Sequence, residues 1–381
     1  MRVLYITNIP APYKIVFFNE LGKKLDLTVV FEAKGASNQG IKFNYNLETI
    51  QTFKAVFLSE GDIKEKTVNW KITKYLKEPY DKIVIGAYSY FTEMFALLWL
   101  KTRKKPYYLS TDGGMIKADE NPIKKWYKTL LISGAKGYFS PSDMSDKYLE
   151  YYGAKKSAIY RYPFTSYKKS NQIEEIITDI EKEKLKTRLN IKEKYLVLGV
   201  GQFIYRKGWD LLLNAMEGIS DDVALCLIGG KPTEEYKRIV EEKKLRHVYF
   251  KDFMKSEELS EYYKAADLFV LPTREDIWGL VINEAMNYGL PVITTTACVA
   301  GLELVQEGEN GYLITNIDSE SGCQKLTLKM TELVANKSLR DRMTQASLDK
   351  AKEYSIEKMA ERYYLIINSS EIVDEKRNVS L

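Results

Sequence analysis

Between Asp267 and Thr295 the chain spells a β-run, a polar loop, a helix and a second β-run, and this order constrains the fold more than any other stretch. Asp267-Leu-Phe-Val-Leu-Pro272 and Leu290-Pro-Val-Ile-Thr-Thr295 are the β-runs, and an apolar helical pattern over Leu280–Tyr288 separates them. In such a unit the loop after the first strand and the opening turn of the helix face whatever binds at the carboxyl edge of a parallel sheet. Two carboxylates, Asp276 and Glu284, lie across the Trp278-Gly279 step, one on the loop and one inside the helix. The backbone amides of Gly279, Leu280 and Val281 fall between them. Carboxylates accept hydrogen bonds from a diol without competing donors, and helix-start amides favour phosphate. The segment therefore suits a phosphorylated, hydroxyl-rich ligand.

The same alternation runs through the whole chain. In the first half, β-rich runs at Val3–Thr7, Leu27–Phe31, Phe53–Leu58, Lys82–Ala87, Pro106–Ser110, Gly137–Ser140 and Ala158–Tyr162 are interleaved with helical patterns. Those patterns cover Lys66–Lys77, Phe91–Lys101, Pro122–Ser133 and Ser142–Tyr152. A polar stretch over 164–180 reads as a linker. A second series follows, with strands at Tyr195–Val200, Val223–Ile228, Val248–Phe250, Leu268–Leu271 and Val292–Thr295, and helices at Trp209–Met216, Glu234–Lys243, Glu257–Ala265 and Leu280–Tyr288. Repeated βα order predicts an α/β protein with two doubly wound, Rossmann-like domains and a cleft between them. The expected division is 1–165, 166–354, and a C-terminal segment 355–381 whose helix, capped by Ser355, packs back toward the first domain and ends in a frayed polar tail.

Composition removes several classes. At 381 residues the chain has room for two ordinary domains. Its apolar runs are far shorter than the ~18–20 residues that span a bilayer, and the first residues read as a strand and not as a leader, so a cytoplasmic protein is expected. Three scattered cysteines form no disulfide framework and no metal-binding pair. The single histidine, His247, excludes multi-histidine metal sites and His-dependent triads, and nothing acid–base is expected around it. Charge is unevenly divided: residues 1–165 carry 26 Lys+Arg against 16 Asp+Glu, whereas the remainder carries 31 against 36. A basic first half suits an anionic surface. A membrane fits better than nucleic acid, since no nucleic-acid recognition motif accompanies the charge.

Four further loops point at the same kind of ligand. Val200-Gly-Gln-Phe-Ile-Tyr-Arg-Lys-Gly208 opens a helix and offers Arg206 and Lys207 to a diphosphate. Its Gly199-Val-Gly-Gln-Phe-Ile204 portion lacks the third glycine of a dinucleotide fingerprint, which weakens a dehydrogenase reading. Gly229-Gly-Lys-Pro232 and Asp252-Phe-Met254 end neighbouring strands, and Ser110-Thr-Asp-Gly-Gly114 ends one in the first half.

Taken together, Gly-Leu-Val-x-x-Glu-Ala-Met and Gly289-Leu-Pro-Val-Ile293 closely resemble the donor-site signature of retaining glycosyltransferases of the GT-B fold, family 4. The resemblance implies that Asp276 takes sugar hydroxyls, that Glu284 holds the ribose, and that Gly279, Leu280 and Val281 meet sugar and phosphate. Glu275 stands immediately before Asp276 and either could be the sugar-binding acid; spacing favours Asp276. Gln202 stands where the family commonly has Arg, Lys207 keeps the second cation, and Arg206 adjoins it. Gly230 and Lys231 would approach the donor, Phe253 and Met254 would pack near the nucleobase, and Asp112 stands near a point where related enzymes often place a His or Asp. No Asp-x-Asp metal clamp occurs, so the resemblance implies metal-independent catalysis, with no resident cofactor and a nucleotide-diphosphate sugar, UDP-linked, as co-substrate.

The implied reaction is transfer of a hexose or N-acetylhexosamine to a glycan, with retained configuration. The basic, aromatic segment Pro122-Ile-Lys-Lys-Trp-Tyr-Lys-Thr-Leu-Leu-Ile132 and the Lys101-Thr-Arg-Lys-Lys105 cluster suit an anionic leaflet, which implies a lipid-linked acceptor in surface polysaccharide assembly and peripheral attachment. An ordinary amphipathic helix is the plainer account of that segment. The other readings are a nucleotide-sugar epimerase on the same fold, and a catalytically silent glycan- or membrane-binding protein.

Overall fold

The computed structural model describes residues 1–369 apart from 36, 39–40, 43–46, 65 and 118; the tail 371–381, expected to fray, lies outside the described residues. The chain divides into two units, 1–169 with 354–381, and 170–353.

The first unit runs β1 (Arg2–Thr7), α1 (Pro12–Gly22), β2 (Asp26–Phe31), a short antiparallel pair β3 (Ser37–Asn38) and β4 (Ile41–Lys42), then β5 (Lys54–Phe57), α2 (Ile72–Lys77), β6 (Lys82–Ile85), α3 (Phe91–Thr102), β7 (Tyr108–Ser110), α4 (Pro122–Ile132), β8 (Gly137–Ser140), α5 (Asp143–Tyr151) and β9 (Ile159–Arg161). Seven strands form one parallel sheet in the order β5-β2-β1-β6-β7-β8-β9. Parallel strands covered on both faces read as unbroken apolar runs, and five of the six residues of β1 are buried accordingly.

The second unit runs α6 (Asp179–Arg188), β10 (Tyr195–Val200), α7 (Trp209–Ala215), β11 (Val223–Ile228), α8 (Glu234–Glu242), β12 (Val248–Lys251), α9 (Ser256–Ala265), β13 (Leu268–Leu271), α10 (Leu280–Asn287), β14 (Val292–Thr295), α11 (Val299–Leu304), β15 (Gly311–Ile314), α12 (Glu320–Ala335) and α13 (Lys337–Ala351). Its parallel sheet has the order β12-β11-β10-β13-β14-β15. Chain direction across the sheet reverses between β10 and β13. Such a reversal is the place at which open α/β sheets commonly bind ligands, outside the carboxyl ends of the strands. The last helix, α14 (Ile356–Asn368), belongs to the first unit and packs on α1. Its Tyr363 ring stacks on Phe139 at 4.0 Å and meets Phe17 at 4.9 Å, while its hydroxyl bonds Ser110 Oγ at 2.6 Å.

All strands expected from sequence are present, and the structure adds elements the pattern left unread. Helix α1 is apolar enough along its length to hide its period, and no side chain caps its start. Strand β15 is four residues long. The helix expected over Lys66–Lys77 begins only at Ile72, because Asn69 bonds locally: its Oδ1 accepts from the Lys71 amide and its Nδ2 donates to Leu58 O. The 164–180 stretch is irregular as expected, but a Thr178–Glu181 capping box then starts α6. Ser355 caps α14 by accepting from the Lys358 amide.

One buried feature of the first unit bears on stability. Glu32, just past β2, accepts the Glu93 amide at 3.2 Å, and Glu93 is fully buried in the first turn of α3. Lys14, the cation that acts on Glu93, is itself bound to Thr7 Oγ1 at 2.9 Å and Asn8 Oδ1 at 2.8 Å. Burial pushes Glu32 up to about 7. Burial, and then the neighbouring Glu32, push Glu93 up to about 8, against an ordinary value of 4.5. The folded chain thus holds protons that the unfolded chain has released above about pH 4.5, so stability falls as pH rises and levels off above the folded values. We predict a thermal midpoint that declines between about pH 5 and pH 8, and a shallower decline in Glu93→Gln. Calorimetry at matched ionic strength checks this; identical slopes would refute the assignment.

Candidate functional site

The second unit brings most of the expected residues to one edge of its sheet. The loops after β10, β11, β12 and β13 all leave at carboxyl ends. The β10 and β13 loops flank the strand-order reversal. They are tied together by three bonds: the Arg274 amide donates to Arg206 O at 2.8 Å, Thr273 Oγ1 donates to the same carbonyl at 2.8 Å, and Arg206 Nη1 donates to Glu275 O at 2.6 Å.

Side chains complete the junction. Lys207 Nζ lies 2.5 Å from Asp276 Oδ2, and Arg206 Nη1 lies 3.3 Å from Asp276 Oδ1. Lys207 and Asp276 are both buried, whereas Arg206 is half-buried. The sequence gives sugar binding to the acid and diphosphate binding to the cations as separate tasks; the structure joins all three in one cluster. The reason is electrostatic, since a buried carboxylate is tolerated only when paired.

A residue that sequence reasoning passed over holds this junction in place. Arg274 grips Asp210 with two nitrogens at 2.8 and 2.6 Å, reaches Asp318 at 2.6 Å, and stacks 3.9 Å from the Tyr205 ring centroid. These carboxylates keep its guanidinium well above the ordinary arginine range. Its bidentate geometry needs Asp210, which lies far away in sequence, and so no local motif announces it.

Glycines set the close approaches. Gly208 starts α7 at φ +72°, and a Cβ there would lie 2.1 Å from the carbonyl oxygen of Pro272. Gly279 starts α10 at φ +108°, seated on the sulfur of Cys298, where a Cβ would lie 2.7 Å away. The Cys298 thiol is buried, pushed up to about 12 by that burial, and donates to Trp278 O at 3.0 Å. Gly279 opens α10, whose first turn carries Leu280 and Val281. Glu284, one turn further on, accepts the hydroxyl of buried Tyr263 at 3.1 Å. Glu275 contributes its carbonyl to the junction, and its side chain is half-buried.

The remaining candidates are placed as follows. Gln202 is half-buried, and its carbonyl accepts the indole N–H of Trp209 at 2.9 Å. At the Gly229-Gly230 step, the close approach belongs to Gly229, whose Cβ would lie 2.2 Å from Gly201 O; Gly230 borders open space. Lys231 is exposed, Phe253 is exposed and Met254 is half-buried. Asp112 is in the first unit, at the end of β7, where it accepts the Tyr13 hydroxyl at 3.1 Å. The structure thus joins Asp112 to the first turn of α1. His247 does have an acidic neighbour, contrary to expectation: its Nδ1 lies 2.6 Å from Glu193 Oε1. The contact is remote in sequence and leaves no local signature.

Comparison with known proteins bears on the family and the fold. Residues 181–350 match the family described as Glycosyl transferases group 1. An uncharacterized glycosyltransferase of Methanocaldococcus jannaschii is 31% identical over 163 residues, 42% of this chain and 44% of that protein. The chain spans about half the length of the curated relatives it matches. Among solved structures, WaaG, a glycosyltransferase involved in lipopolysaccharide biosynthesis, superimposes with a TM-score of 0.69 at 17% identity, over 96% of this chain and 100% of that one. Anabaena HepE in complex with UDP and glucose gives a TM-score of 0.75 at 15% identity, over 95% and 98%. Both likenesses extend over nearly the whole chain and show that the α/β two-domain architecture is the GT-B fold.

Gly208 offers a direct check on the junction. Gly208→Ala forces a left-handed backbone on a side-chain-bearing residue, at about 1–2 kcal/mol, and adds the collision with Pro272. We expect a loss of stability of at least that size in urea unfolding. A neutral effect would mean the two loops are not held as described.

Proposed function

We propose that this chain, a group 1 glycosyltransferase of the GT-B fold, moves a sugar from a nucleotide-diphosphate donor, UDP-linked, to a glycan acceptor with retained configuration. The observation that carries the reading is the Arg206–Lys207–Asp276 cluster, with Asp276 on the loop that leads into α10, at the point where strand order reverses. A sugar diphosphate presents to that place the chemistry it is built for. Its phosphates find two cations and helix-start amides. Its sugar hydroxyls find Asp276, and its ribose finds Glu284. HepE was solved with UDP and glucose, which supports the uridine donor.

In this reading the glycosidic C–O bond to the diphosphate breaks while the acceptor oxygen bonds the same face of the anomeric carbon. The acceptor's proton passes to the departing phosphate oxygen. Arg206, Lys207 and the amides of Gly279, Leu280 and Val281 stabilise the leaving charge, so positioning and electrostatics supply the rate without a resident cofactor or a metal. Arg274 acts as a positioning residue through Asp210 and the Arg206 carbonyl. In the first unit, Asp112 after β7 and Tyr13 in the first turn of α1 serve the acceptor side.

The acceptor is proposed to be lipid-linked, in surface polysaccharide assembly; WaaG, of the same fold, is involved in lipopolysaccharide biosynthesis. Helix α4 supports membrane contact. Ile123, Trp126, Tyr127 and Leu130 recur at helical spacing, and all are exposed, Ile123 by 75% and Trp126 by 66%. A globular helix ordinarily turns such a stripe inward. Here it faces solvent beside Lys124 and Lys125, in the basic half of the chain, which matches an anionic leaflet. Among the described residues no helix is long and apolar enough to cross a membrane.

Two experiments test this. In thermal unfolding with UDP, GDP, ADP or NAD, UDP should stabilise the chain by ~2.7 kcal/mol at a hundredfold excess over its dissociation constant, equally with Mg²⁺ or EDTA. Glu284→Gln and Lys207→Ala should each weaken UDP about tenfold or more. Absence of any nucleotide shift would overturn the donor site. In sedimentation with vesicles, binding should need anionic lipid, fall with added salt, and drop sharply in an Ile123→Ser, Trp126→Ser double variant; equal binding to neutral vesicles would refute the docking helix.

A further inference from the structure

The first unit contains a cavity of about 570 Å³ that none of the donor chemistry uses. Its size falls within the ~300–1,000 Å³ of small-molecule sites. It lies at the carboxyl ends of β2 and β5, between the start of α3 and the loop that follows β5. Glu32 is at its floor, with Ser59, Asp62, Thr67, Asn69 and Trp70 around it.

The wall is constructed and not accidental. Asn69 pins the loop by donating its amide to Thr92 Oγ1 at 3.1 Å and its Nδ2 to Leu58 O at 3.0 Å. This is the same residue that keeps 66–71 out of α2. Trp70 follows at once. Its indole meets Phe95 edge-on at 4.9 Å and 74°, yet remains 65% exposed, so an aromatic face is braced and left open to solvent. Lys34 engages Glu60 on the same rim at 2.6 Å. Buried Glu32 keeps one carboxyl oxygen on the Glu93 amide, and its burial lets it carry a proton near neutral pH. A protonated carboxyl both donates and accepts hydrogen bonds, as does a sugar hydroxyl.

An open indole face suits the C–H face of a sugar ring, and carboxyl and hydroxyl groups around it suit the ring's edge. We propose that this pocket is a pyranose-binding subsite, in which a sugar ring stacks on Trp70 while Glu32 and Asp62 take its hydroxyls. The choice of ligand rests on the glycan-transfer reading. The site itself is separate from the donor cluster, being built wholly from the first unit.

The test is saturation-transfer NMR on the full chain, using a panel of methyl pyranosides (gluco, galacto, manno and N-acetylglucosamine forms) and, in separate tubes, UDP. At least one pyranoside should receive saturation on its ring protons. Trp70→Ala should weaken it about tenfold, the upper end of what one aromatic face contributes, and Trp70→Phe should restore most of that loss. Asp62→Asn, at an exposed position, gives a second reading that does not depend on the indole. No transfer to any pyranoside, or equal transfer in wild type and Trp70→Ala, would overturn the subsite. The UDP tubes report on the donor site alone, so the two readings fail separately.

Discussion

The buried pairing of Lys207 with Asp276 is the constraint around which the second unit is arranged. Withdrawing two charges from water is expensive, and their attraction recovers the cost only when geometry is good and the remaining polar atoms are satisfied. Here a second cation, Arg206, takes the other carboxylate oxygen and also the Glu275 carbonyl, while Arg274 ties the β10 loop to the β13 loop through Asp210 and the Arg206 carbonyl. Gly208 and Gly279 are consequences of that closeness. A side chain at Gly208 would meet Pro272, and one at Gly279 would meet Cys298, so neither loop could settle against its neighbour. The pair and the glycines are one device, which fixes cations and a helix start at one edge of the sheet.

Such pre-assembly has a chemical consequence. In the free protein the cations are already oriented by Asp276. A diphosphate arriving there would exchange one anion for another, and would not have to immobilise two flexible side chains. Asp276, with its cations shared, then has lone pairs for hydroxyl groups. In the proposed reaction the acid would act first as a template for the cations and then as a hydrogen-bond acceptor, which would account for an acid and two cations occupying one place.

How much of this could be read from the chain depends on distance along it. The strands were legible because parallel, doubly covered strands are unbroken apolar runs, as in Val223–Ile228, where all six residues are buried. The α10 loop was legible because its acids, glycine and apolar helix are contiguous. What stayed hidden were pairings across many residues: Arg274 with Asp210, Tyr263 with Glu284, His247 with Glu193. Helix α1 was hidden for another reason, since five of its residues are buried and its pattern shows no polar face to mark a period. The false start of α2 came from Asn69, whose side chain competes with the helix for backbone partners, a contest decided by Thr92 and Leu58 far from it in sequence.

The two units place acids at the carboxyl edges of similarly ordered sheets, yet treat them in opposite ways. In the second unit Asp276 is held by two cations and can remain charged while buried. In the first, Glu32 and Glu93 share an amide contact, and Lys14, the cation that acts on Glu93, is already engaged by Thr7 and Asn8; burial therefore favours their neutral forms. A charged, cation-backed acid belongs beside a phosphate, where local neutrality must be kept as anionic oxygens arrive and depart. A neutral carboxyl belongs beside uncharged hydroxyls, with which it exchanges hydrogen bonds in both directions and adds no charge that must be desolvated. In the proposed reaction, a diphosphate on the second unit would meet the charged edge and a neutral sugar on the first unit would meet the neutral one.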